Sequence, residues 1–117
     1  RNQTYTMTEG VFRVFRQRLT VKDALRFADA LPPVLRAMFV FDWDTDQPQL
    51  RFEDRGAMTR EAQALRKDHN FAPDSCISDV ARALRKMVDE REFDRVLASL
   101  PAGAADFWNV SAVSGSA

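Results

Sequence analysis

The stretch VFRVFRQRLTVKDALRFADALPPVLRAMF (Val11–Phe39) lies over VARALRKMVDEREFDRVLASLPAGAADFW (Val80–Trp108) without a gap, each residue paired with the one 69 positions further on. Six of the twenty-nine pairs are identical: Val11/Val80, Arg13/Arg82, Arg16/Arg85, Arg26/Arg95, Leu31/Leu100 and Pro32/Pro101. The identity is modest, and the patterning carries the reading. Val11, Val14, Phe15 and Leu19 recur at helical spacing, and Val80, Ala83, Leu84 and Val88 take the same places in the second stretch. A core-facing apolar stripe is therefore expected on each of these helices. Self-similarity at a fixed offset predicts one helical unit used twice.

The helix signals fall in the same register. Thr20 with Asp23, and Asp89 with Glu92, place an N-cap oxygen three residues before an acidic side chain and open the second helix of each unit. Thr6 with Glu9 predicts the same start for the helix before. The second helices are expected to bury Ala24, Phe27, Ala28 and Leu31 in unit one, and Phe93, Val96, Leu97 and Leu100 in unit two. Small and large side chains trade places between the units, as two halves packed on each other at constant core volume require. Pro32 and Pro101 stop these helices, and short third helices follow at about 33–41 and 102–108, with Pro33 tolerated in a first turn.

Residues 42–58 are acidic, contain Pro48 and Gly56, lack a sustained period and read as a linker loop. An extra helix is expected from Thr59 to His69, with Met58, Ala62 and Leu65 on one side, ending near Asn70. Phe71, Ala72 and Pro73 then lead to the capping pair Asp74 and Ser75. Shifted back by 69 positions, the extra helix falls before Arg1, so unit one lacks its opening helix. Either residues precede Arg1 in the intact protein or unit one leaves a hydrophobic groove for a partner chain. The expected fold is all-α: one compact domain over residues 1–109, about six helices in two quasi-repeated units (6–41 and 59–108) joined by the linker 42–58. A small, polar tail at 110–117 is expected to be flexible.

The runs RQRLTVKDAL (from Arg16), LPPVLRAMF (from Leu31), DWD (from Asp42) and LPAGAADFW (from Leu100) resemble the bacterial domain-of-unknown-function family 2267 (DUF2267) over about residues 5–108. The resemblance implies a small all-helical domain built from a duplicated unit and usually preceded by another helix. It implies no activity and transfers no catalytic residue. In one departure, Ala37 stands where the family generally carries Gly.

Composition narrows the function classes. With 45% hydrophobic and 29% charged residues in 117, the chain is globular rather than disordered. Seventeen basic residues balance seventeen acidic ones, so no whole-chain field draws it to nucleic acid or anionic lipid. One cysteine, Cys76, excludes an internal disulfide, and one histidine, His69, excludes the usual zinc sets. A reducing, cytoplasmic location is expected. No apolar run approaches the roughly twenty residues that span a bilayer, so no membrane partner is expected. The N-terminus lacks a secretion-signal layout, although Arg1 in place of Met leaves a removed leader open.

Few constellations carry chemistry. Asp42, Asp44, Asp46 and Glu53 fall at positions 1, 3, 5 and 12 of a calcium-loop template. Gln47, however, stands at position 6, where the sharp turn requires Gly, and Pro48 follows. The plainer reading is a solvated acidic connection with Trp43 folded back on the core. A Cys76–His69 thiolate–imidazole pair is disfavoured by the extended connection at Phe71–Pro73, and the counterpart of Cys76 is Met7, so a packed, inert thiol is expected. Four glycines give no phosphate cradle. No cofactor is implied. Arginine outnumbers lysine fourteen to three; Arg13, Arg16 and Gln17, like Arg82, Arg85 and Lys86, lie opposite the stripes and form a candidate basic face. Asp23, Asp79, Asp89 and Glu92 salt that face and favour simple solvation. The favoured function is a non-catalytic helical interaction or self-association module whose partner is a second copy or another protein. A small-ligand binder or enzyme using a Phe-lined cleft between the units is the alternative, and a nucleic-acid or metal-binding accessory the second.

Overall fold

The stripe at residues 11–19 fixes the centre of the molecule. The computed structural model describes residues 3–65 and 72–110, and these form seven helices and no strand. They are α1 (Gln3–Arg16), α2 (Val21–Asp29), α3 (Pro33–Val40), α4 (Arg55–Ala64), α5 (Cys76–Arg85), α6 (Glu90–Ala98) and α7 (Ala104–Phe107). Val11, Val14, Phe15 and Leu19 are all buried, and α1 packs on α4, α5 and α3. Helix α2 packs on α3 and α6, and α6 on α7. Helices 69 residues apart thus face each other, α1 against α5 and α2 against α6.

The boundaries of α2 and α6 are offset by 69 at both ends, and α1 and α5 stop at Arg16 and Arg85. The caps explain this register. Thr20 accepts a hydrogen bond from the Asp23 N–H at 3.1 Å, and Asp89 accepts from the N–H groups of Arg91 and Glu92. Each cap satisfies donors that a helix start leaves without an intrahelical partner. Ala24, Phe27, Ala28, Leu31, Phe93, Leu97 and Leu100 are buried as expected, with Val96 half-buried.

Other expectations are corrected. Helix α1 starts at Gln3, so Thr6 and Glu9 sit inside it rather than at its cap. Ala83 is exposed, because α5 turns Ile77, Ala81 and Leu84 inward instead. The linker ends at Asp54: this carboxylate caps α4 through the Ala57 N–H, four residues before the expected start, and Gly56 lies in the first turn. On α4, Met58 and Ala62 are buried but Leu65, just beyond its end, is exposed. His69, Asn70 and Phe71 lie outside the described residues. Ser75 makes no side-chain cap to α5; its hydroxyl donates to Asp79, while Asp74 accepts from Gln63. Val110 packs against the core, and the rest of the expected tail lies outside the described residues.

An aromatic cluster closes the seam between the halves. The Phe15 ring lies 4.8 Å from Phe27, 4.9 Å from Phe107 and 5.3 Å from Trp108, centroid to centroid. Phe27 and Phe93 meet across α2 and α6 at 5.5 Å. Most of these pairs are tilted or edge-on, the arrangement ring quadrupoles favour. Two glycines let backbone come close. A Cβ on Gly10 of α1 would sit 3.3 Å from the Ala62 carbonyl oxygen of α4, and one on Gly103 would sit 2.7 Å from Phe52 Cγ. Gly103 also holds φ at +101°, a left-handed conformation that costs L-residues energy. Truncating Phe15 to Ala is expected to cost about 3–5 kcal/mol in urea unfolding. Gly103→Ala is expected to lower stability by about 1–3 kcal/mol through strain alone, while Ala105→Gly, at an exposed site, costs at most about 1 kcal/mol.

Candidate functional site

The arginines gather at helix ends, where carbonyls lack intrahelical donors. Arg16 Nη1 donates to the carbonyl of Phe39 at 2.9 Å and that of Phe41 at 3.2 Å, and Arg85 Nε donates to Trp108 O at 3.0 Å. Arg55 Nη2 donates to the carbonyls of Asp106, Phe107 and Asn109, and Arg36 to those of Ala28 and Leu31. A planar fork with five donors suits two or three converging carbonyls better than an ammonium does. Burial lowers the Arg55 pKa, opposed by the Asp106 charge. Of the candidate basic face, Arg16 is only 6% exposed and Arg85 is half-buried, whereas Arg82 and Lys86 are exposed and Arg13 is half-buried; Arg13, Arg82 and Arg85 each have a carboxylate partner.

Arg18 is the functional-looking residue that pattern reading missed. Its side chain is 0% exposed, and it pairs with Glu61 at 2.8 Å and Glu53 at 3.4 Å while donating to Val14 O and Arg51 O. It ties α1 to the linker and to α4. Along the sequence it is one more arginine in a basic run, and its counterpart is Met87, so neither periodicity nor repetition distinguishes it.

The linker 41–54 is a folded cover rather than a loose connection. Leu50 N–H donates to Gln17 O, and Gln49 donates to Arg18 O, which satisfies the end of α1. Asp42 takes the left-handed region at φ 53°, and Trp43 packs against the core with the Arg16 guanidinium 5.2 Å over its ring. Between this cover and the end of α1 lies a cavity of about 540 Å³ lined in part by Arg13, Arg16, Gln17, Thr20, Val21 and Trp43. Burial lowers the Arg16 pKa, helped by the Arg13 charge and opposed by Asp42 and Glu9.

Three of the four calcium-template carboxylates take separate duties, and Asp46 enters through its N–H. Asp42 lies 3.8 Å from Arg13, Asp44 accepts from the Asp46 N–H at 3.0 Å, and Glu53 meets Arg18. Among the described residues no three His, Cys, Asp or Glu side chains gather as a metal group. Cys76 is fully buried in the first turn of α5, and burial pushes its thiol pKa up. The seam, rather than the Phe-lined cleft of the alternative reading, takes six of the phenylalanines: Phe12, Phe15, Phe27, Phe39, Phe93 and Phe107 are all buried.

On the outside of the bundle α3 presents a different surface. Val34 is 76% and Phe41 58% exposed, and with Tyr5, Pro33, Ala37 and Met38 they line a shallow depression of about 390 Å³ to which no charged side chain among the described residues contributes. Ala37 is exposed there, so Ala in place of Gly makes no demand on the core.

Arg18→Ala is expected to cost about 1–3 kcal/mol by emptying its buried site and leaving the Val14 carbonyl without this donor, and Arg18→Met, which keeps the buried stem, clearly less in the same denaturant assay. Cys76 is expected to resist alkylation in the folded protein and to react at once in denaturant. Because the native thiol keeps its proton where the unfolded chain's thiol has lost it, stability falls as pH rises through the ordinary thiol range.

Among curated proteins none matches the chain. A family model described as "Uncharacterized conserved protein (DUF2267)" matches residues 1–107 of the 117. With all seven helices inside that match or ending at its last residue, the chain belongs to the DUF2267 family.

Proposed function

We propose that this domain is a non-catalytic helical interaction module, built from two copies of one helical unit, that associates with a second copy of itself through the outer face of α3. The observation that carries the reading is the apolar exposure of that face, with Val34 at 76% and Phe41 at 58%. In a chain with 29% charged residues, an uncharged helical face one depression wide is a surface that water does not favour. Its lack of charge supports a second copy as the occupant. A twofold interface sets the same patch against itself, so any charge on the patch would face its own like, and none of the described residues that line it is charged.

The internal use of the arginines speaks against a nucleic-acid role, since Arg16, Arg18, Arg55 and Arg85 bond to groups of the chain itself. The single, buried cysteine fits a cytoplasmic setting.

Sedimentation equilibrium of the wild-type chain is expected to show a reversible monomer–dimer equilibrium. Val34→Asp and Phe41→Ser are each expected to shift it to monomer with unchanged circular dichroism, because both side chains face solvent. A wild-type chain that stays monomeric across the soluble range, or variants that dimerise as tightly, would falsify the reading.

A further inference from the structure

Arg16 and Arg85 hold corresponding places and do the same work. Arg16 donates to Phe39 O and Arg85 to Trp108 O, and those acceptors are themselves 69 residues apart. Their counter-charges differ. Arg85 pairs with Glu90 at 3.0 Å and Asp94 at 2.9 Å, both on α6. The residues of α2 at those two positions are Val21 and Leu25, which are 41% and 50% exposed. Among the described residues, no carboxylate lies within ion-pairing distance of Arg16, and Asp42 and Glu9 act on it only from further away. Burial pulls the Arg85 pKa down, but its bonds to Asp94 and Glu90 outweigh that and raise it; for Arg16 the balance goes the other way. A guanidinium that desolvation penalises and no anion repays is an unusual thing to keep beside an open cavity.

Arg16, Val21 and Trp43 share the walls of the 540 Å³ cavity, a volume within the range of small-ligand sites. Among the described residues three carboxylates also reach those walls, and each has a donor of its own: Asp42 has Arg13, Asp44 has the Asp46 N–H, and Glu61 has Arg18. We propose that this cavity binds a carboxylate carried on an apolar body, the carboxylate taking on Arg16 the place that Glu90 and Asp94 take on Arg85. The apolar body rests on Val21 and Trp43, which gives an exposed aliphatic side chain at the start of α2 a partner. The planar guanidinium provides the fork that a carboxylate accepts from. The carboxylate is either a free small acid or a Glu or Asp side chain of a partner segment, and both present the same chemistry. The site is separate from the α3 face and stands or falls without it.

The test is calorimetric titration of the intact chain with sodium octanoate, with octanamide, and with a helical peptide carrying one glutamate between leucines. Octanoate or the peptide is expected to bind the wild type, and octanamide to bind at least about tenfold more weakly. Binding of octanoate assigns a free acid as ligand, whereas binding of the peptide alone assigns a partner's side chain. The double variant V21E/L25D installs the carboxylates of unit two and is expected to lose binding of either probe while keeping its circular dichroism. Independently, the Arg16 Nε–Hε resonance of the wild type is expected to move with octanoate and stay with octanamide. Silence from both carboxylate probes, octanamide binding as tight as octanoate, undiminished binding by V21E/L25D, or an unmoved Arg16 resonance at saturation each overturns the proposal.

Discussion

The burial of one indole organises the structure. Trp108 has no exposed surface and lies within 6.2 Å, centroid to centroid, of Phe12, Phe15, Phe27, Phe93 and Phe107. Those rings come from α1, α2, α6 and α7, so both halves of the sequence complete their core on the same side chain. The seam is therefore the core itself rather than a cleft between two finished parts, and Phe12, Phe15, Phe27, Phe39, Phe93 and Phe107 are spent in it.

A second constraint follows from the shortness of the helices. In helices of four to fourteen residues, a large fraction of backbone carbonyls sit in last turns with no intrahelical donor. The chain meets this with side-chain forks, from Arg16 on α3, Arg36 on α2, and Arg55 and Arg85 at the end of α7. The linker adds Gln49 and the Leu50 N–H at the end of α1. Part of the arginine content of this near-neutral protein is thus spent on its own carbonyls.

The fold was legible in residues whose duties are local. Thr20, Asp89, Pro32 and Pro101 set helix ends within a few residues of themselves, and the stripe Val11, Val14, Phe15 and Leu19 reports its own face. What escaped was decided by distant partners. Ala83 was expected inside on periodicity, yet none of the described residues covers that side of α5, whereas its counterpart Val14 is buried. Asp54 caps α4 despite Gly56 two residues on, because an N-cap carboxylate offsets a weak helix former in the first turn. The duty of Arg18 depends on Glu61, which is 43 residues away, and the exposure of Val21 and Leu25 gains meaning only beside Glu90 and Asp94. No local pattern encodes a charge that is absent.

The indole nitrogen of Trp108 is buried and has no hydrogen-bond acceptor among the described residues. Its donor is kept dry by the ring contacts around it, at a cost of about 1–3 kcal/mol that those contacts offset. The other tryptophan, Trp43, is half-buried beneath a guanidinium and beside an open cavity. The two chromophores therefore sit in opposite optical surroundings, one in a rigid and nearly solvent-free medium and the other in a polarised, wetted one. The protein carries a built-in pair of fluorescent reporters, a blue-shifted one for the integrity of its centre and a red-shifted one for events at its rim.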